Sequence, residues 1–257
     1  MLAEAQRDRV EIVLVSPRNP LNIGAAARAM ANFGFSHLTV VAPYAPHWRE
    51  SRSAVGAPQL LNSAKEVPTL AEAVAACTLV VGTGTLTYRK PEQPVVPLTA
   101  LALLVQQEVA RNARVALVFG PEKHGLTRED LSWCQALVEI PTDPSQPSMN
   151  LGQAVAVCLY ELASRAFPAQ APPPNVATAQ PANEGLAAAS GQLDLLAKVI
   201  EETMAAAGYS PHSMQAANRH DLRLLLRRLA PRERDTRRML GLFRRILWRL
   251  NKNSNRA

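Results

Sequence analysis

Five short runs of Val, Ile and Leu alternate along the chain with segments of helical periodicity; the runs are Val10 to Val15, Leu38 to Ala42, Leu79 to Val81, Val115 to Phe119 and Leu137 to Ile140. Apart from Glu11, Thr39 and Glu139 they are apolar at successive positions rather than at every second one, which suits strands covered on both sides. The segments between them, Ala25–Phe33, Leu70–Ala76, Leu98–Val109 and one following Ser148, supply the covers. The pattern predicts an α/β fold, a parallel sheet with helices on both faces. Ligands of open sheets of this kind bind beyond the carboxyl ends of the strands.

Three polar turns fall at such strand ends: Asn22-Ile23-Gly24-Ala25-Ala26-Ala27-Arg28, Phe119 to Leu126, and Ile140-Pro141 leading to Pro147-Ser148-Met149-Asn150-Leu151-Gly152. Their shared position predicts one composite pocket. Asn22 stands where a helix N-cap is expected, and the alanines after it suit a helix running close to other backbone. Gly24 removes a side chain at the entry, and Arg28 follows on the same helical face. Gly120 would let a ligand approach the backbone, and Glu122 adds a carboxylate. Thr127 with Asp130 reads as a capping-box relative. Ser148 and Asn150 bring a hydroxyl and an amide to a helix start, where free N–H groups could hold a ligand. Each has a plainer reading: Asn22 and Ser148 as caps, Arg28 in a surface salt bridge. Gly82-Thr83-Gly84-Thr85 is a defective dinucleotide fingerprint, lacking the third glycine and the acidic residue about twenty positions on.

Cys77, Cys134 and Cys158 form no C-x-x-C pair, and the five histidines show no zinc-like spacing, so neither a disulfide framework nor a metal site is expected. The charged N-terminus and the lack of a long apolar run speak for a cytoplasmic protein that does not span a membrane. The net charge of +7 is uneven, because residues 212–257 carry thirteen Lys/Arg against three Asp/Glu. Such a cluster marks a nucleic-acid or anionic-surface partner, or a solvated helix face. The expected division is 1–167 for the α/β domain, 168–191 for a Pro/Ala-rich linker, and 192–257 for a small, basic, all-α domain with arginines on its outer faces.

Taken in order, Asn-x-Gly-x-x-x-Arg from Asn22 to Arg28, Phe-Gly-x-Glu-x-x-Gly-Leu from Phe119, and Ile-Pro followed by Ser-x-Asn make the chain resemble the SpoU/TrmH family of the SPOUT superfamily over about residues 10–166. That resemblance implies an S-adenosyl-L-methionine-dependent RNA ribose 2′-O-methyltransferase, a homodimer and a C-terminal trefoil knot. It implies a cofactor site at Thr83, Gly84, Thr85, Gly120, Ile140, Pro147, Ser148 and Met149, and a catalytic set of Asn22, Arg28, Glu122, Ser148 and Asn150. In that set Asn22 would orient Arg28, and Glu122 would hold Arg28 or a neighbouring donor. The C-terminal helices look like the extension of the TrmJ-like subgroup, which methylates the tRNA anticodon loop. Where that subgroup tends to carry two close arginines after the third strand, this chain runs Thr85-Leu86-Thr87-Tyr88-Arg89-Lys90. The competing readings are an rRNA ribose methyltransferase, a non-catalytic RNA-binding protein on the same fold, and a nicotinamide oxidoreductase.

Overall fold

A computed structural model describes residues 2–84, 91–164, 186–209 and 212–254. Among the described residues there are seven strands: β1 (Val10–Val15), β2 (His37–Val41), β3 (Lys65–Val67), β4 (Leu79–Thr83), β5 (Val95–Pro97), β6 (Val115–Phe119) and β7 (Ala136–Glu139). The helices are α1 (Glu4–Arg7), α2 (Pro20–Phe33), α3 (Pro58–Ser63), α4 (Leu70–Val74), α5 (Leu98–Ala110), α6 (Arg128–Leu131), α7 (Leu151–Ser164), α8 (Ser190–Ala206), α9 (Gln215–Leu229) and α10 (Glu233–Ser254).

All strand pairs are parallel, in the order β3-β2-β1-β6-β4-β7-β5. Every residue of β1 and β6 is buried, as apolar strands covered on both faces require, and the one charged residue among them, Glu11, accepts from Thr39 Oγ1 at 2.6 Å and pairs with Arg114 at 3.3 Å. Alternate residues divide between two cores. Val10, Ile12 and Leu14 face α2, α5 and α7, whereas Val13 and Val15 face Leu70 and Val74 of α4 together with Leu126, Trp133 and Cys134. Small residues set the spacing of the first layer: a Cβ at Gly152 of α7 would stand 2.6 Å from that of Ala25 in α2. The alanines of α2 thus run close to another helix, as their size suggests.

The cover of the second face is thin, since α4 and α6 are five and four residues long. The C-terminal helices thicken it. The Ser190 and Gly191 amides donate to the carbonyls of Cys77 and Ala75 at 2.8 and 2.9 Å. Residues 190 and 191, placed in the linker on sequence grounds, therefore open α8, while residues 168–185 lie outside the described residues.

The expectation that the arginines of this region point outward fails at two positions. Arg223 and Arg227 are 7% and 4% exposed, and their guanidinium carbons lie 4.3 and 4.8 Å from the centre of the Trp133 ring. Arg223 donates to Ser132 Oγ at 2.9 Å and pairs with Glu129. Arg227 donates through Nε to the Trp133 carbonyl at 2.9 Å and through Nη2 to Ser190 Oγ at 3.0 Å. Burial, then repulsion from Arg223, pulls the Arg227 pKa down to about 10, so it stays charged at neutral pH. Stacked and hydrogen-bonded guanidinium is among the few cationic groups that tolerate such burial.

Candidate active site

The strand order places β1, β6, β4 and β7 side by side, so their carboxyl ends bring the three polar turns to one edge. There a cleft of about 250 Å³ is lined by Thr83 and Gly84 after β4, by residues 119–126 after β6, and by Ile140, Thr142 and Pro147-Ser148-Met149 after β7. Of the expected cofactor-site residues Thr83, Gly84, Gly120, Ile140, Pro147, Ser148 and Met149 line it; Thr85 lies outside the described residues. Glu122 lines the cleft as well, whereas Asn22, Asn150 and Arg28 do not.

Asn22 and Asn150 reach the cleft's edge through Glu122. Asn22 Nδ2 donates to Glu122 Oε1 at 2.7 Å, and Asn150 Nδ2 donates to Asn22 Oδ1 at 2.9 Å. The Glu122 carboxylate also accepts from the Arg18 and Asn19 amides at 3.1 and 3.2 Å. Burial alone would raise its pKa; the bonds from Asn22, its own backbone, Arg18 and Asn19 outweigh that and hold it below the ordinary carboxylate value. One ionised carboxylate thus ties the turn after β1 to the turn after β6, and the two carboxamides carry the tie to the turn after β7.

Four expectations need correcting. Asn22 is not the cap of α2: the helix begins at Pro20, and Asn19 accepts from the Leu21 amide. Proline suits a first helical turn because the missing N–H has no intrahelical partner there. Ser148 is not the cap of α7, because Asn150 Oδ1 accepts from the amides of Gly152 and Gln153 at 2.9 and 3.4 Å. Gly24 does not open the entry. A Cβ there would meet the hydroxyls of Ser51 and Ser53 at 2.5 and 2.2 Å, so the space is filled by that segment. Nor does Asn22 orient Arg28, which is exposed and has no hydrogen-bond or ion-pair partner among the described residues; of the two roles expected of Glu122, it is the neighbouring donors, Asn22 and the Arg18 and Asn19 amides, that it holds.

Gly120 has a structural duty that sequence reasoning missed. A Cβ there would come within 2.3 Å of the backbone of Gly125 and Leu126, so only glycine lets the loop fold back on itself. Thr127 and Asp130 form the expected capping box. The three cysteines are free and buried, and burial pushes each thiol up to about 12, so none supplies a thiolate nucleophile at neutral pH.

The two polar residues of the third turn separate experimentally. Asn150→Ala removes the α7 cap and the bond to Asn22, so its stability should fall by about 1–2 kcal/mol. Ser148→Ala removes an exposed hydroxyl that caps nothing, so its melting temperature should match wild type and any loss should be catalytic. Thermal melts alongside turnover measurements check both outcomes.

The sequence model of the family described as "SpoU rRNA Methylase family" matches residues 9–160. The chain is 42% identical over 65% of its length, and 65% of the relative's, to the tRNA (cytidine/uridine/adenosine-2′-O-)-methyltransferase TrmJ of Pseudomonas aeruginosa. It is 35% identical to the tRNA (cytidine/uridine-2′-O-)-methyltransferase TrmJ of Escherichia coli over 93% of both chains. Among solved structures it is similar to TrmJ from Z. mobilis, with 29% identity, a TM-score of 0.79, and coverage of 92% of this chain and 98% of that one.

Proposed function

The chain belongs to the SpoU rRNA methylase family, and from that membership we propose that it is an S-adenosylmethionine-dependent tRNA ribose 2′-O-methyltransferase acting on the anticodon loop. The observation that carries this reading is a cleft lined by the second and third motif turns, with the first motif tied to its edge through the bond from Asn22 to Glu122. The cleft suits the cofactor. Phe119, Leu126, Ile140 and Met149 offer apolar walls to a planar base, and among the described residues a Cβ at Gly84 would meet nothing within 4 Å. The bound cofactor supplies an activated methyl group.

What remains for the protein is to align a ribose hydroxyl and assist its deprotonation. Guanidinium groups keep their proton at ordinary pH, so Arg28 anchors a substrate phosphate and stabilises the developing oxyanion, with the proton passing to a phosphate oxygen or water. Ser148 shapes the ribose side of the cleft. Asn22, Glu122 and Asn150 act together as a brace that fixes the three turns relative to one another, because Asn22 bonds both Glu122 and Asn150.

Three finer features belong to the same reading. A trefoil knot is supported by the strand order, in which β6 and β7 enter between elements laid down earlier in the chain. A homodimer is supported by Leu21 and Tyr160, 54% and 56% exposed on α2 and α7, and by Arg28, whose absence from its own chain's cleft suits service in a second copy. The C-terminal helices from α8 onward serve as an RNA-recruiting domain, supported by the excess of arginine in residues 212–257. A cytoplasmic location suits such an enzyme, and among the described residues no helix is long and apolar enough to cross a membrane.

The test combines binding and product analysis. S-adenosylhomocysteine should raise the melting temperature and NAD should not; unmodified tRNA incubated with S-adenosylmethionine should yield 2′-O-methylated nucleosides by mass spectrometry. A shift with NAD alone would favour an oxidoreductase, no shift with either would favour a non-catalytic binding protein, and ribose methylation of rRNA alone would move the substrate.

A further inference from the structure

The outer face of α10 sets one aromatic ring among cations. Thr236 and Leu240 are buried, and Leu240 and Phe243 join the cluster formed with α8 and α9. At 3.6 residues per turn, Leu247 and Leu250 continue that inner stripe, and Arg234, Arg238, Arg245, Trp248 and Lys252 fall on the opposite side. Trp248 is 45% exposed and belongs to no core cluster. The Arg245 guanidinium carbon lies 4.4 Å from its ring centre and the Lys252 Nζ 5.1 Å. No acidic residue follows Asp235. A solvated basic face needs no aromatic, and the inner stripe is complete without this one.

We propose that Trp248 is a stacking platform for an unpaired base of the RNA substrate, with Arg245 and Lys252 neutralising the phosphates on either side of that nucleotide. This rests on the reading of the chain as an RNA methyltransferase and adds a contact to bases where the arginines supply only contacts to backbone. Magnitudes favour the exchange. Base stacking on an aromatic side chain raises affinity about five- to a hundredfold, whereas a cation over an exposed ring contributes about two- to fivefold. The base therefore displaces the cations from the ring, and the displaced charges remain within side-chain reach of the adjoining phosphates. Stacking tolerates any base, so the platform selects unpaired nucleotides rather than a particular letter. A membrane surface fits less well, because the inner apolar stripe of α10 is turned onto α8 and is not free to insert.

The experiment uses the full chain, titrated with unfractionated tRNA and with a short unstructured RNA at several salt concentrations. Trp248→Leu should weaken binding about five- to a hundredfold without changing the slope of log affinity against log salt, because no charge is removed. Trp248→Phe should retain most of the affinity. Arg245→Gln should instead lower the slope by about 0.7 to 0.9. Wild-type affinity in Trp248→Leu overturns the proposal. So does a loss that comes with an altered oligomeric state, which places Trp248 between copies, or a Trp248-dependent fluorescence shift with anionic phospholipid vesicles but not with RNA. If wild type methylates tRNA and Trp248→Leu binds normally, only this inference fails. If wild type methylates nothing yet binds RNA through Trp248, the catalytic reading fails and the platform stands.

Discussion

Arg28→Ala is expected to slow methyl transfer to tRNA by about a hundred- to a thousandfold while the fold and the cofactor affinity stay at wild-type values. The catalytic half rests on removing a charged, bidentate donor from a developing oxyanion, for which losses of that order are usual. The structural half rests on Arg28 being exposed and without a partner among the described residues, so that its truncation breaks no contact of the chain. Surface changes of that kind stay within about 0.5 kcal/mol. Arg28→Lys keeps the charge but not the planar fork and should recover only part of the rate. Single-turnover rates, melting curves and S-adenosylhomocysteine binding separate the terms. Undiminished turnover in Arg28→Ala would remove this residue from the mechanism.

Arg227→Ala should destabilise the protein by about 2–4 kcal/mol, the largest stability effect expected of any arginine in the C-terminal region. The substitution strips the Trp133 carbonyl and Ser190 Oγ of their donor and uncovers part of the Trp133 ring. A buried acceptor left without a partner costs about 1–3 kcal/mol. Against this, the guanidinium is itself expensive to bury, as its lowered pKa shows, so Arg227→Met should be milder than Arg227→Ala. Arg245→Ala on the open face of α10 provides the control and should change little. Denaturant unfolding of the three variants checks the order. Near-equal stabilities would mean that the C-terminal helices dock without help from the Trp133 contact.

The strands with unbroken apolar runs were legible in the sequence because burial on both faces leaves a mark that needs no partner to interpret. The short edge strands β3 and β5 were not. Lys65-Glu66-Val67 and Val95-Val96-Pro97 are three residues each and carry charges or a proline, which an edge position tolerates. The start of α2 was misread at Asn22 although Asn19-Pro20, a cap followed by proline, was the available signal. The three turns could be placed at strand ends from sequence, yet the pairing of Asn22 with Glu122 could not, because it depends on β6 lying beside β1. Burial of Arg223 and Arg227 was equally hidden. Their local spacing matches that of a solvated helix face, and the ring that covers them lies some ninety positions earlier in the chain.

The brace joining Asn22, Glu122 and Asn150 also bears on when this protein becomes competent. Its two side-chain bonds span 100 and 128 residues of sequence and depend on the pairing of β1 with β6. Closing such loops comes after local helices have formed. A chain emerging from the ribosome therefore has no assembled site until Asn150 and the α7 segment beyond it are free to fold. Side chains that join after the rate-limiting step leave the speed of folding almost untouched and govern how often the finished molecule opens. Lesions in this brace would thus shorten the lifetime of the working enzyme rather than its yield.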